Sequence, residues 1–186
     1  MHRLLVRETF AGVLNLGRPL NGSPKIGSVV YCGLAVRGVN HSGVYIGGGK
    51  IVELAGNGIV REVGPSQFVR RGRTWAMLAL RAGALAVASP LSAFTGAVMA
   101  GTSPLDSLNI RVSCKGDTAV GDREVACRAK RAVGDERKYD VIDHNCHFFT
   151  CQCLTGEEPA HPALLWNVME TAQRILGADD WWIWRF

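Results

Sequence analysis

Apolar positions alternate with polar ones, or gather in short β-branched blocks, over residues 28–63, and recur with helical spacing over the second half of the chain. SVVYCGL (28–34) is a strand-like block. HSGVYI (41–46), a Gly47-Gly48-Gly49 turn and KIVEL (50–54) predict a β-hairpin, and GIVREV (58–63) one strand more. Together they make a small antiparallel meander. NIRVSC (109–114) is a further strand. GDREVACRAKRAVG (121–134) predicts a helix with Asp122 as its N-cap, a stripe of Val125, Ala129, Ala132 and Val133, and Gly134 as its stop. A second helix starts at Asn145-Cys146 and runs through HFFTCQCL to Gly156. A third, at about 162–176, carries Leu164, Leu165, Val168, Met169, Ala172, Ile175 and Leu176 on one face and ends at Gly177.

Three segments fall outside this pattern. Residues 1–24 are a lead-in ending in the turn chemistry of Arg18-Pro19 and Asn21-Gly22-Ser23-Pro24. Residues 82–101 carry no ionised side chain, within an apolar insert at about 75–105. Three readings fit it. Its length would span a bilayer, but Ala and Gly dominate and Pro90 sits near its middle, which favours a buried helical hairpin. A surface loop dipping into lipid lies between these, and Arg70, Arg71, Arg73 and Trp75 just before it suit an anionic membrane surface. The tail ADDWWIWRF holds Trp181, Trp182 and Trp184, which either cover the edge of the core or anchor at a lipid interface.

Composition narrows the class. The chain has 186 residues, 47% hydrophobic and 20% charged, enough to bury the core of one ordinary domain, so disorder and a stapled mini-protein are excluded. The net charge of +5 permits an anionic partner without demanding one. Aromatics make up 8% and do not interleave with Lys and Arg, which argues against nucleic acid. Of the 6 cysteines, those at 146, 151 and 153 crowd together, unlike a disulfide framework. Arg7 and Glu8 interrupt any signal-peptide-like run. The expectation is a cytoplasmic chain with reduced thiols, in contact with membrane only peripherally.

Two segments carry chemistry. In the hairpin, alternation puts His41, Gly43 and Tyr45 on one face of the first strand and Ile51 with Glu53 on one face of the second. A three-residue glycine loop pairs Ile46 with Lys50 and Gly43 with Glu53, so that His41 and Glu53 lie diagonally on the same face; a two-residue loop would separate them. Gly43 leaves room for the imidazole. The second segment is Asp143-His144-Asn145-Cys146-His147, at a loop-to-helix junction. A cysteine in the first turn of a helix feels partial positive charge, which favours thiolate, and the first-turn N–H groups are aimed to hold an oxyanion. Cys, His and a third polar group are the constellation of thiol nucleophilic catalysis. Zinc is the rival use of His144, Cys146, His147, Cys151 and Cys153. There is no C-x-x-C pair, and one short segment rarely closes a tetrahedral site, so neither metal nor cofactor is expected.

The two segments together resemble the lecithin:retinol acyltransferase (LRAT) family, within the NlpC and papain-like thiol-enzyme superfamily. HSGVYIGGGKIVEL follows the family pattern His-x-x-x-Tyr-x-Gly-x-Gly, and YDVIDHNCHFFTCQCLTG follows its Tyr, spacer, Asn-Cys motif and helix. The likeness runs from about Lys25 to Gly156 and is nearest to bacterial members, in which Asn-Cys-His replaces Asn-Cys-Glu. It implies a permuted papain-like α+β fold, a small antiparallel sheet packed on helices. The domain spans 25–156, with the helix and Trp-rich tail of 157–186 packed on it. It implies Cys146 as nucleophile, His41 as general base and Glu53 as the third polar residue, with Asn145, His147 and Tyr45 as oxyanion-holding or site-shaping neighbours. Glu53 stands where the family's namesake has His, His147-Phe148 where Glu-His is usual, and Ser28 where Asp is common. The resemblance implies a thioester acyl-enzyme and a phospholipid or other acyl ester as donor. A thiol peptidase or amidase of the same superfamily, or a non-catalytic membrane- or protein-binding module, are the alternatives.

Overall fold

The computed structural model describes residues 18–33, 40–70, 109–140, 143–159 and 164–186. The apolar insert lies outside them, together with Arg71, Arg73 and Trp75. No helix among the described residues is long and apolar enough to cross a membrane.

The predicted meander forms as β1 (Val29–Gly33), β2 (Asn40–Gly47), β3 (Lys50–Leu54) and β4 (Val60–Val63), each antiparallel to the next. β5 (Ile110–Lys115) pairs with the free edge of β1 and hairpins into the two-residue β6 (Thr118–Ala119). The tail is a strand: β7 (Asp180–Trp184) runs antiparallel to β5, with Trp182 opposite Val112 and Trp184 opposite Ile110. Trp182 and Trp184 are buried, so two of the three rings offered to a lipid surface belong to the core instead. Trp181 is half-buried and meets Tyr31 edge-on at 5.1 Å.

Both faces of the sheet are covered, which is why its strands read as nearly continuous apolar runs. On one face Val29, Val44, Ile46, Val52 and Leu54 pack against three helices. These are α1 (Arg123–Arg131), α2 (Cys146–Thr155) and α3 (Leu165–Leu176). On the other, Val30, Cys32, Tyr45, Ile51 and Val112 meet Trp182, Trp184, Phe68 and Val69. Phe68 and Val69 belong to a helical segment at 65–70 that the sequence pattern does not announce.

The helix ends follow their caps. Asp122 accepts the Glu124 N–H at 2.6 Å to open α1, and acidic Glu124 and basic Arg128, Lys130 and Arg131 sit at the ends that the helix dipole favours. Gly156, at φ 82, closes α2, and Arg128 of α1 donates to the carbonyls of Cys153 (2.6 Å) and Leu154 (3.0 Å), which that closure leaves unpaired. α3 begins at Leu165, three residues later than its apolar spacing predicts, where the Asn167 side chain accepts the Leu164 N–H. Only Val168 and Ala172 of its stripe are fully buried. Leu164 and Ile175, at the two ends, are exposed, whereas Leu176 in the last turn is partly buried against the core.

Candidate active site

The hairpin brings His41 and Glu53 together by a different turn from the expected one. Gly47 pairs with Lys50 across the two-residue turn Gly48-Gly49, whose φ values of 58° and 70° only glycine adopts readily. Alone, that turn would put His41 and Glu53 on opposite faces. A register shift between Tyr45 and Gly47 inserts one residue and restores the pairing of Tyr45 with Ile51 and Val44 with Val52. Continued along the strands, this sets Gly43 opposite Glu53. His41 Nε2 then lies 2.8 Å from Glu53 Oε2, with the carboxylate fully buried.

The room that Gly43 leaves is occupied. The Phe68 ring tilts against the imidazole at 4.8 Å between centroids. A Cβ on Gly43 would stand 2.7 Å from the Val52 carbonyl oxygen and 3.2 Å from Phe68 Cε2. Gly43→Ala is therefore expected to destabilise the domain by roughly 1–3 kcal/mol, read as a lowered urea midpoint, because the nearest clash is with backbone that cannot turn aside.

Cys146 is the first residue of α2. Asn145 caps the helix, its Oδ1 accepting the N–H groups of His147 (2.9 Å) and Phe148 (3.0 Å). The N–H of Cys146 is not spent on this cap. The sulfur reaches over the start of β2, 4.0 Å from the Asn40 carbonyl oxygen, and is hydrogen-bonded to the His41 side chain and the Ser42 backbone. Since Nε2 of His41 is engaged with Glu53, Nδ1 is the nitrogen left for the thiol.

Electrostatics favour charge on both partners. Burial opposes charge on both partners. For His41 the charge of Cys146 and the hydrogen bonds to Cys146 and Glu53 outweigh burial, and its pKa is raised. For Cys146 burial is outweighed by the charge and hydrogen bond of His41, then by the Ser42 backbone, and its pKa is lowered. Glu53 is held below its usual range against burial, by His41 and then by Arg61. Both shifts favour thiolate on the sulfur and imidazolium on the ring.

His147 locks the two elements together. Its Nδ1 meets the Ser42 hydroxyl at 2.8 Å, and its ring also bonds the Asn40 backbone, so it grips both neighbours of His41 in β2. Burial, then the His41 charge, push its pKa down to about 3, which keeps it neutral. The Ser42 hydroxyl also meets Thr150 Oγ1 at 2.9 Å and the Cys146 carbonyl at 3.3 Å.

A family model described as lecithin retinol acyltransferase matches residues 23–159, most of the chain. The chain belongs to the lecithin retinol acyltransferase family. No curated protein and no solved structure matches it. Membership makes it an acyltransferase-type domain of the thiol-enzyme kind, and the antiparallel sheet packed on helices is the α+β architecture the resemblance implies.

Within this family domain the expected residues divide. His41, Glu53, Cys146, Asn145 and His147 converge. Tyr45 does not: four residues along β2 from His41, it lies roughly 13 Å away. Its hydroxyl accepts the Gly49 N–H at 3.3 Å and its ring meets Trp184 edge-on at 5.3 Å, so it staples the hairpin turn. The other candidate metal ligands diverge. The His144 ring packs on Phe148, Cys151 faces Thr171 of α3 at 3.9 Å, and Cys153 lies toward Arg137 and Arg128. Among the described residues, no three His, Cys, Asp or Glu side chains gather to hold a metal ion.

Arg61 is the site residue that the hairpin argument missed. It stands opposite Glu53 in the β3–β4 register and donates Nε (2.8 Å) and Nη2 (2.7 Å) to Glu53 Oε1. Extending the register by one more hairpin would have found it, since GIVREV places a single arginine beside KIVEL.

Proposed function

We propose that this domain is a cysteine-dependent acyltransferase or phospholipase that takes an acyl group from a lipid ester onto Cys146. The supporting observation is a buried thiol at the head of a helix, hydrogen-bonded to an imidazole whose far nitrogen rests on a buried carboxylate. The thiolate attacks the ester carbonyl and the C–S bond forms. The carbonyl oxygen gathers negative charge beside the N–H of Cys146. Collapse breaks the C–O bond, and the departing alcohol takes the proton from His41. His41, now neutral, removes a proton from water, an alcohol or an amine, which attacks the thioester and frees the sulfur. Glu53 holds the ring in position and favours its charged form.

A lipid donor brings the domain to a membrane surface. Arg70, a basic side chain suited to that contact, is exposed at the end of the helical segment.

The test is intact-protein mass spectrometry after incubation with mixed phospholipids. An added acyl mass that maps to Cys146 and is released by hydroxylamine supports the reading. An adduct of equal yield in Cys146→Ala defeats it. Acylation by peptide or amide donors alone would move the chemistry to the peptidase alternative.

A further inference from the structure

Glu53 is a buried carboxylate between two cationic partners, one on each oxygen. Oε2 faces His41 Nε2 at 2.8 Å, while Oε1 accepts both arms of the Arg61 fork at 2.8 and 2.7 Å. The side chain of Glu53 has no exposed surface and that of Arg61 keeps 24%. The row therefore runs from solvent to sulfur: Arg61 on β4, Glu53 on β3, His41 on β2, Cys146 at the head of α2.

We propose that Arg61 is a positioning residue of this site, holding Glu53 as a carboxylate with one oxygen turned to His41, so that the thiolate of Cys146 depends on a side chain two strands from the imidazole. This deepens the thiol-enzyme reading and rests on it.

The charges fix the sign of the effect. Among the described residues, the groups facing the sulfur are Cys32 on β1, His41 on β2, Glu53 on β3, Tyr139 in the segment before α2, and His147 on α2 itself. His147 is neutral. Cys32 is fully buried and its thiol is pushed well above the usual range, first by burial and then by the charges of Glu53 and Cys146. Tyr139 is pushed above its usual range by burial, then by the charges of Cys146 and Asp140. Neither supplies positive charge. With Arg61 in place the row Cys146, His41, Glu53, Arg61 sums to zero. Without it the row carries one uncompensated negative charge in a dry interior, and there are two ways to relieve it. Glu53 takes a proton, and the imidazolium loses its carboxylate. Or Glu53 stays ionised, and its charge opposes the thiolate unbalanced. Both outcomes make the thiolate harder to form. Two guanidinium N–H groups converging on Oε1 also hold that oxygen in place and leave Oε2 to His41, with more directional definition than a lysine point charge provides.

The experiment needs no substrate. The full chain is alkylated with iodoacetamide from pH 4 to 10, and the rate at each cysteine is read by peptide mass spectrometry, with exposed Cys127 as the internal reference thiol. The arms are wild type, Arg61→Met, Arg61→Gln and Arg61→Lys. Arg61→Met is expected to raise the Cys146 midpoint by about one pH unit or more, a roughly tenfold slower reaction below the midpoint. Arg61→Gln is expected to follow Met, and Arg61→Lys to recover part of the shift. If Met fails to fold, the difference between Gln and Lys carries the test, because both can hydrogen-bond Oε1 and only one is charged. A low wild-type midpoint that stays put in the folded variants overturns the role of Arg61 and leaves the thiol-enzyme reading standing. A wild-type Cys146 that titrates like Cys127 overturns both.

Discussion

Cys146→Ala is expected to lower acyl transfer by roughly 10⁴–10⁶-fold, the scale on which a covalent nucleophile is missed, while the fold survives. Among the described residues, no neighbour can take its place. The Ser42 hydroxyl is the nearest candidate by chain position, but it is buried and already engaged with the Cys146 carbonyl, His147 and Thr150. Cys32 is buried and holds its proton. The structural cost is small. Alanine suits the first turn of a helix, and the cap at Asn145 works through its own side chain on His147 and Phe148. Loss of one buried sulfur is worth about 1 kcal/mol, so the thermal midpoint should move by only a few degrees. Cys146→Ser sharpens the test. It keeps the shape and exchanges a thiolate for a hydroxyl that His41 cannot hold ionised at rest. Hydrolysis of a chromogenic acyl ester, run beside a thermal melt, measures both quantities. Serine activity above roughly one per cent of wild type would show that the resting ion pair is not what drives acylation.

The site was legible where local rules determine geometry. Asn145 before Cys146 is a cap followed by a first turn, and a cap fixes where a cysteine stands relative to the helix dipole. The shared face of His41 and Glu53 was also legible, though the turn was not. Three consecutive glycines satisfy more than one hairpin geometry, and here Gly48-Gly49 turns while Gly47 joins the strand next to a bulge. The face came out the same because one inserted residue and one fewer loop residue cancel. Tyr45 shows the limit of face assignment. It lies on the His41 side of the sheet, as alternation requires, but distance along the strand takes it to the turn. Arg61, Phe68 and the strand β7 were hidden for another reason: each acquires its role only across a pairing between segments, and periodicity within one segment does not encode its partner. The tryptophans of β7 look like a surface motif until β5 supplies the edge on which they lie.

His41→Ala is expected to invert the titration of Cys146. In the wild type the imidazolium outweighs burial and holds the thiol pKa below its ordinary value; with the ring gone, burial and the remaining Glu53 charge both act upward. An ordinary thiol is under one per cent ionised at pH 6, so iodoacetamide should react with Cys146 about 10²-fold more slowly in the variant at that pH, and acylation should fall at least as far. The same pair predicts how stability varies with pH. Unfolded, His41 and Cys146 titrate near their ordinary values of 6.5 and 9.0. Between those values the unfolded chain keeps one proton on sulfur, and the folded chain keeps one on the ring. The counts are equal, so the contribution of the pair is flat. Below about 6.5 the unfolded imidazole gains a proton that the folded pair lacks, and stability falls as pH falls. Above about 9 the unfolded thiol has lost its proton while the folded imidazolium keeps one, and stability falls as pH rises, in each case approaching about 1.4 kcal/mol per pH unit. The two single-group effects cancel only in the middle: the raised His41 loses ground above 6.5 at the rate at which the lowered Cys146 gains it. Urea unfolding of wild type from pH 5 to 10 should therefore show a plateau between those limits and shoulders that fall on both sides, and its difference from His41→Ala should keep only the low-pH shoulder, because the variant's buried thiol also holds its proton above 9. A difference that slopes steadily through pH 7 to 8 would mean that folding takes up or releases a proton there, so that the folded pair holds two protons or none instead of one.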